Sequence, residues 1–485
     1  MFDLHVKNFR GFADQGFRFG KVNILIGENS GGKSSVIKLL LAMKQSLSDP
    51  SEVGGFNLTL SGRETDLGTF RDVIHHHSTR RRLGIGFTTD EGYTDFLLNR
   101  TGGTDLGFWR TPNKRLSEIP RPLRKQIQNN AKEARKAFGY FLGTPVQINY
   151  SFSKNLNAPE ELETVFTNDV IGNLRIKIEE ISEEPSELSS SFLSGHCTLI
   201  FENGKGGSAI ELKKIPFKKD AFLTIIHSAS LRHAISTANS EGSAVSFDEL
   251  AYLLESQAYI ATRLYSLEYV NPLLSEPAER IYLRGPDKKI SNLSDINKLV
   301  SFLSGPSQDN FLKGLNDALK TFGIVEKVYL DKKDYTTEVR VVQNGVESNL
   351  KDVGFGVSLQ IPIFAQALKG NLSQWGQAMI IEQPEVHLHP KLQSTFIDAL
   401  LTVTNDQPIF IETHSEHIVR MLQLIVKEGR HGLKSDDVAI HYFGRDGEKQ
   451  KVTRHDINQE TGRLEPPFPP GFYDVSYSLA FKLMN

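Results

Sequence analysis

Nine consecutive residues near the start of the chain have the types and spacing that phosphate binding requires. Residues 27–35 read GENSGGKSS and contain the pattern G-x-x-x-x-G-K-S. Glycines let successive main-chain N–H groups turn towards phosphate oxygens, the lysine neutralises the β- and γ-phosphates, and the serine hydroxyl ligates Mg²⁺. The sequence therefore predicts a nucleoside triphosphate and Mg²⁺ as ligands, bound by Gly27, Asn29, Ser30, Gly31, Gly32, Lys33, Ser34 and Ser35.

Further polar residues follow two short apolar runs in the last quarter of the chain. Glu382 comes directly after AMII, and His414 follows the run PIFI. An acidic residue at the end of a strand beside a phosphate loop holds Mg²⁺ through its water shell, so Glu382 is predicted to share the metal with Ser34. The segment KDVGFGVSLQIP lies just upstream of Glu382 and contains Gly354, Gly356 and Ser358.

The elements around residues 27–35 are those that a phosphate loop needs. Residues 22–26, VNILI, predict a buried strand, and Val36, Leu40 and Met43 recur at helical spacing after the loop. An accidental glycine-rich turn is the alternative, but it does not account for a strand before the loop and an amphipathic helix after it.

Changes of character along the chain predict three segments. Residues 1–104 and 266–485 have α/β character and are predicted to form the two parts of one nucleotide-binding domain. Residues 105–265 are predicted to be an α+β insertion with a polar helical stretch, short alternating strands and a second helical block that begins with the capping box of Ser246 and Glu249. The last segment is predicted to end in a hairpin around the RDGEK turn.

Composition excludes several classes of protein. The chain has 485 residues, with 56 Lys and Arg against 58 Asp and Glu, so an overall positive charge cannot drive nucleic-acid binding. Its single cysteine, Cys197, excludes an intramolecular disulfide and a cysteine-based zinc cluster. The absence of a signal sequence and of an apolar run of about 20 residues predicts a cytoplasmic protein without membrane contact.

The order of these motifs resembles that of ABC-type ATPase heads of the SMC/RecF/OLD-like group, often called AAA family ATPases. The resemblance covers residues 1–100 and about 265–485. It implies a P-loop NTPase of ABC/SMC-head type, with a mixed sheet and an α+β insertion, that binds ATP between two subunits of a homodimer or higher homo-oligomer. It also implies that Glu382 is the Walker B acid, that His414 senses the γ-phosphate, and that Gly354, Gly356 and Ser358 form a signature loop facing the partner's nucleotide.

The sequence departs from this family at the position after the Walker B acid. A catalytic glutamate is usual there, whereas this chain has Gln383, whose neutral amide can orient water but cannot accept its proton. Glu385 is therefore predicted either to serve as the general base or to pair with a cation at a subunit boundary. Without a base, hydrolysis is expected to be slow. The signature also differs from the usual LSGGQ sequence.

Two other clusters have weaker functional interpretations. Glu385, His387 and His389 form E-x-H-x-H, which could hold a transition metal, but they coincide with the D-loop of the resembled family. Residues 75–77 and 80–82 are histidines and arginines that could contact DNA phosphates, although a solvated loop is the favoured interpretation.

Three functions are compatible with these observations. The first is an ATP-driven sensor or scaffold that controls a separately encoded, nuclease-like effector, as in the anti-phage systems PARIS and Septu, which the chain resembles. This function is favoured, since only 71 residues follow His414, which is expected to be too few for a built-in Toprim nuclease. The second is a RecF-like DNA-repair ATPase that binds DNA directly, and the near-neutral charge argues against it. The third is an ATP-binding structural protein without turnover.

Overall fold

The structure of the chain is a computed structural model. It describes residues 2–48, 58–89, 146–154, 156, 160–168, 172–184, 192–203, 206–218, 259–261, 263–270, 281–282, 293, 296–305, 308–333, 336–371, 377–405, 407–447, 449–469, 472 and 482–483. The predicted polar helical stretch and the capping box at Ser246 lie outside these residues, whereas residues 259–261 and 263–265 at the end of the predicted insertion are helical.

Strands provide most of the described regular structure. In chain order they are β1 (Phe2–Phe9), β2 (Phe12–Phe17), β3 (Val22–Gly27), β4 (Leu83–Thr89), β5 (Val146–Phe152), β6 (Glu161–Asn168), β7 (Gly172–Glu184), β8 (Phe192–Asn203), β9 (Gly206–Lys218), β10 (Leu267–Val270), β11 (Ile281–Tyr282), β12 (Lys327–Lys332), β13 (Thr336–Gln343), β14 (Val346–Asn349), β15 (Ala378–Glu382), β16 (Ile409–Glu412), β17 (Val438–Asp446), β18 (Lys449–Ile457) and β19 (Leu464–Glu465).

The α-helices are α1 (Lys33–Ser48), α2 (Phe70–Val73), α3 (Ile296–Leu303), α4 (Asp309–Phe322), α5 (Phe355–Gly370), α6 (Pro390–Thr404) and α7 (Glu416–Glu428). Short 3₁₀ segments cover His75–His77, Leu350–Asp352, Arg430–Gly432 and Ser435–Asp437. None of the helices in the described part of the chain is both long enough and apolar enough to span a bilayer.

The chain divides into two compact units. The first unit comprises Met1–Arg18 and Lys38–Tyr265, and the second comprises Phe19–Ile37 and Ser266–Asn485. The first unit contains one antiparallel sheet with the strand order β2-β1-β4-β5-β6-β7-β8-β9. In β1, Phe2, Leu4 and Val6 are buried and alternate with partly exposed residues, as the sequence pattern predicts.

This sheet differs from the predicted insertion in two ways. The predicted short strands are longer than expected, since β7 and β9 each have 13 residues. The sheet also crosses the predicted boundary after residue 104, because β4 pairs with β5 over six residues. The second of the two compact units resumes at Ser266.

The second unit is built on a mixed sheet with the order β10-β15-β16-β3-β17-β18-β19. Strands β10, β15, β16, β3 and β17 are parallel. Strands β17 and β18 pair antiparallel and form the predicted C-terminal hairpin, and β19 pairs antiparallel with β18. All six residues of β3 are buried, as expected for a parallel strand that is covered on both faces. The carboxyl ends of β3, β15 and β16 therefore lie side by side at one edge of the sheet.

Candidate active site

The loop that follows β3 has the backbone of a phosphate-binding nest. Gly27, Ser30 and Gly32 have positive φ values of 138°, 61° and 101°. Glycine is required at Gly27, because a Cβ atom there would lie 2.2 Å from the main-chain oxygen of Phe443. The loop then enters α1 at Lys33, and the positive end of the helix dipole at this N-terminus favours an anion.

Lys33 is buried beneath this loop. Only 4% of the residue is exposed, and its Nζ donates hydrogen bonds to the main-chain oxygens of Gly27 and Glu28 at 3.1 and 2.8 Å. Burial lowers the pKa of Lys33, and the negative charges of Glu412 and Glu28 oppose this shift. The ammonium group is thus held at the loop, where its charge can neutralise phosphate oxygens.

Ser34 contacts a carboxylate that the sequence analysis did not select. Its Oγ donates a hydrogen bond to Oε1 of Glu412 at 2.9 Å. Glu412 ends β16, which pairs directly with β3, whereas Glu382 ends β15, one strand further away. The two carboxylates are partners in register across β15 and β16. Both acids therefore lie at the predicted edge of the sheet, and Glu412 is the one bonded to Ser34.

The environment of Glu412 suits a cation. The residue is 5% exposed, and its Oε2 is buried without a hydrogen-bond partner among the described residues. The pKa of Glu412 is raised to about 7, first by burial and then by the neighbouring charge of Glu382, while Ser34 and Lys33 act in the opposite direction. A buried, unpaired carboxylate is costly, and a bound Mg²⁺ would supply the missing positive charge.

The residues present fit a magnesium ion that is only partly held by protein. Ser34, Glu412 and Glu382 offer the oxygen ligands that Mg²⁺ prefers. Among the described residues, no group of three or more His, Cys, Asp or Glu side chains is arranged to hold a metal ion unaided. Mg²⁺ would therefore take its other ligands from water and from nucleotide phosphates, which is its usual mode of binding.

Glu385 is directed at the main chain around His414. Its Oε1 accepts a hydrogen bond from the His414 N–H at 2.7 Å, and the residue is 8% exposed. Burial raises the pKa of Glu385, and hydrogen bonds from the main chain of His414, the Thr413 hydroxyl and the Ser415 N–H oppose that shift. The role of Glu385 as the general base stays a prediction, and one of its oxygens is already engaged.

The side chain of His414 is exposed, and it lies close enough to Lys33 for the two charges to interact. Partial desolvation of the ring lowers its pKa, and the positive charge of Lys33 lowers it further. The imidazole is consequently neutral at pH 7, so that it can donate or accept a single hydrogen bond at a phosphate oxygen or a water molecule.

Gln383 continues the pairing of β15 with β16 past Glu382 and Glu412, the last residues of these strands. Its N–H donates to the Glu412 main-chain oxygen at 2.7 Å, and its φ is 46°. A positive φ is uncommon for a residue other than glycine and turns the chain sharply at this point. The predicted water-positioning role of its amide is compatible with a place directly after Glu382.

The three predicted signature residues lie at the start of α5. Gly354 is the N-cap and is exposed, while Gly356 and Ser358 are buried. Ser358 Oγ donates to the main-chain oxygen of Phe355 at 3.0 Å, so its hydroxyl is turned back into its own helix. A groove of about 390 Å³ runs alongside, lined by Gly354, Gly356, His387 and His389 among others. Their proposed contact with a second subunit's nucleotide remains a prediction.

Glu385, His387 and His389, the E-x-H-x-H residues for which a metal site was the less favoured interpretation, are not assembled as a set of ligands. The His387 ring packs against Phe355, with 5.7 Å between ring centroids. His389 is the N-cap of α6, and its Nδ1 accepts from the Lys391 N–H at 3.3 Å. Each histidine thus has a local structural contact, and Glu385 is bonded elsewhere.

Sequence reasoning missed the contribution of the C-terminal hairpin as well as Glu412. The Phe443 main-chain oxygen accepts from the Glu28 N–H at 2.9 Å, and Gln450 Nε2 donates to the Ser30 main-chain oxygen at 3.0 Å. Strands β17 and β18 therefore support the phosphate loop from the side opposite β16. For Glu412 a signal was available, because it follows an apolar run just as Glu382 does.

Comparison with known proteins identifies two segments of the chain. Residues 1–419 match the AAA_15 family, described as an AAA ATPase domain. Residues 433–483 match a family described as a protein of unknown function, DUF3696. Curated proteins yield no match.

Solved structures of SMC heads are similar to the chain at low sequence identity. One is an SMC head bound to the C-winged helix domain of ScpA, with 10% identity, a TM-score of 0.44, and coverage of 94% of this chain and 98% of that one. The SMC head domain from Thermotoga maritima has 9% identity and a TM-score of 0.35, with 93% and 97% covered. A third, the Smc head domain from Pyrococcus furiosus with an extended coiled coil, bound to the C-terminal domain of ScpA, has 9% identity, a TM-score of 0.38 and full coverage of both chains. Scores below 0.5 do not by themselves establish a shared fold.

Proposed function

The chain belongs to the AAA_15 family of ATPases, and we propose that it binds and slowly hydrolyses ATP with Mg²⁺ in order to control a separately encoded, nuclease-like effector in anti-phage defence. The predicted α/β ATPase fold with a mixed sheet is confirmed by the family match and the strand order.

The bond between Ser34 and Glu412, beside buried Lys33, is the observation that carries the ATPase part of the proposal. The hydroxyl, the two carboxylates and the ammonium group converge where β3 enters the phosphate loop. Phosphoryl transfer needs little covalent help from a protein, so a positioned metal and a positive charge at the γ-phosphate supply most of the catalysis.

Slow hydrolysis follows from the chemistry of the residue next to Glu382. Gln383 can orient a water molecule, but its amide cannot accept the proton that the water must lose. ATP bound between two subunits links nucleotide occupancy to association, so the subunits stay associated for as long as ATP remains bound. A long-lived ATP-bound state therefore suits a regulator. We therefore propose a homodimer or larger homo-oligomer as the working form.

The effector is proposed to be a second protein because the C-terminal segment is occupied by the ATPase fold. The DUF3696 segment contributes β17 and β18 to the sheet that carries the phosphate loop. In the described part of this segment there is no acidic metal cluster of the kind that a nuclease requires. A net charge of −2 further favours control of a partner over direct DNA binding.

Phosphate release by the purified protein tests the ATPase. We expect Mg²⁺-dependent turnover that is absent from Lys33→Ala, and equal turnover by both proteins would contradict the site. For the regulatory part, the tagged protein is expressed within its own gene neighbourhood and purified with and without ATP. Recovery of a nuclease-like neighbour supports the proposal, whereas an ATP-dependent gel shift of long duplex DNA by the protein alone favours the RecF-like alternative.

A further inference from the structure

Two loops at the candidate active site are joined by side-chain hydrogen bonds. The 384–388 loop follows β15, and the 413–415 loop follows β16. Glu385 Oε1 accepts from the His414 N–H at 2.7 Å. Gln393 adds a second connection, because its Oε1 accepts from Ser415 Oγ at 2.8 Å while its Nε2 donates to the Leu388 main-chain oxygen at 3.0 Å. The conformation of the 413–415 loop is thus set by residues that lie outside it.

One oxygen of the Glu385 carboxylate, Oε1, is bonded to this loop, whereas Oε2 is buried without a hydrogen-bond partner among the described residues. Among the described residues, Glu385 forms no ion pair with Lys, Arg or His within 4 Å. The donor to Oε1 is the His414 N–H of the 413–415 loop, and Thr413 and Ser415 of the same loop also lower the pKa of Glu385, as does its own main-chain N–H. A buried carboxylate that accepts a main-chain hydrogen bond fixes the path of the main chain at that residue.

His414 is the residue whose placement depends on this arrangement. Its N–H is held by Glu385, while its imidazole is exposed and close enough to Lys33 to be affected by the lysine's charge. If Glu385 did not accept the His414 N–H, the main chain of His414 would not be held in place and its imidazole would be poorly positioned. A poorly positioned imidazole loses much of its effect on phosphoryl transfer.

We propose that Glu385 is a positioning residue, which holds the 413–415 loop so that the His414 imidazole faces the γ-phosphate of ATP. The inference rests on the proposed ATPase function and specifies how the sensor histidine of that site is placed. It differs from a general-base role in what the side chain must be able to do. Positioning requires an oxygen that accepts an N–H, whereas base catalysis requires a group that accepts a proton.

Steady-state ATP hydrolysis by four variants separates these roles. Glu385→Gln keeps an acceptor oxygen and is expected to retain kcat within about 3-fold, while Glu385→Ala loses about 10- to 100-fold in kcat with an unchanged KM for ATP. Since Glu385 acts through His414, adding Glu385→Ala to His414→Ala should lower kcat by less than about 3-fold. If Glu385→Gln is as inactive as Glu385→Ala, or if the two losses multiply, the proposal is overturned and the general base is favoured.

Hydrogen exchange gives a readout that does not depend on turnover. The His414 amide, whose N–H Glu385 accepts, should exchange at least about 10-fold faster in Glu385→Ala than in the wild type, and at the wild-type rate in Glu385→Gln. Glu416→Gln is the matched control, because this nearby carboxylate pairs with Arg420 on the helix surface. If exchange is unchanged in Glu385→Ala, the positioning role is refuted, whether or not the protein hydrolyses ATP. If the wild type hydrolyses no ATP, the proposed ATPase function is refuted instead. Should Glu385→Ala fail to fold, the turnover of Glu385→Gln decides alone.

Discussion

Replacing Glu412 by Gln should stabilise the protein in the absence of nucleotide and abolish its stabilisation by ATP and Mg²⁺. Glu412 is buried beside Glu382, and its pKa rises from 4.5 to about 7. A carboxyl whose pKa is raised in the folded state destabilises the protein as the pH rises above its pKa in the unfolded state. This destabilisation reaches its full size above its pKa in the folded state. At pH 8, ionised Glu412 therefore destabilises the metal-free protein by about 3 kcal/mol.

The amide that Glu412→Gln introduces removes this charge at a smaller cost. The amide oxygen can still accept a hydrogen bond from Ser34. Burying an amide without ideal partners costs about 1 kcal/mol of the stability gained by removing the charge. The net gain at pH 8 is about 2 kcal/mol, or about 4–8 °C in Tm for a unit of this size. In the wild type, ATP and Mg²⁺ at about 100 times their Kd add about 2.7 kcal/mol, which the variant should not gain. The order of the two melting temperatures should therefore reverse on addition of ligand.

Thermal unfolding at pH 8 and pH 5, with and without Mg²⁺ and a non-hydrolysable ATP analogue, measures both effects. At pH 5 the advantage of the variant should vanish, because Glu412 is then protonated in the folded wild type. An advantage that persists at pH 5, or a variant that is less stable than the wild type at pH 8 without ligand, would show that Glu412 does not carry a costly charge in this site.

Three further outcomes are expected. Lys33→Ala should abolish ATP binding in calorimetry while far-UV circular dichroism stays unchanged, because Lys33 Nζ contacts only two main-chain oxygens. Light scattering should reveal larger species with ATP and Mg²⁺, and a monomer under all nucleotide conditions would contradict the proposed assembly. His441 is fully buried, and burial lowers its pKa from 6.5 to about 3, so stability should fall on acidification between these values by up to about 1.4 kcal/mol per pH unit. His441→Leu should flatten this acid limb in denaturant titrations, and a wild-type slope in the variant would exclude His441 as its origin.

Local patterns predicted the elements around the phosphate loop well. The strand VNILI, the loop and the helix after it depend on residues that are neighbours in sequence, so hydrophobic spacing and glycine content are sufficient to identify them. The hairpin of β17 and β18 was predicted for the same reason, because the RDGEK turn and its flanking strands are contiguous.

The arrangement of strands in the two sheets could not be predicted in this way. Periodicity identifies a strand but not its partner, and so β4 was assigned to the ATPase segment although it pairs with β5 of the predicted insertion. The same limit applies to Glu382 and Glu412. Both end apolar strands, and only the strand order, with β16 between β15 and β3, decides which carboxylate meets Ser34.

The position of β3 has a consequence for the synthesis of the protein. This strand is made within the first 27 residues, yet its two neighbours, β16 and β17, end at Glu412 and Asp446. At about 5–20 residues per second, the ribosome needs roughly 20–80 s to supply them. During that interval the nascent chain contains the whole GENSGGKSS segment but has neither the acid that meets Ser34 nor the Phe443 carbonyl that holds Glu28. Since those two partners complete the proposed nucleotide site, we expect that the chain binds ATP only after translation has passed residue 443.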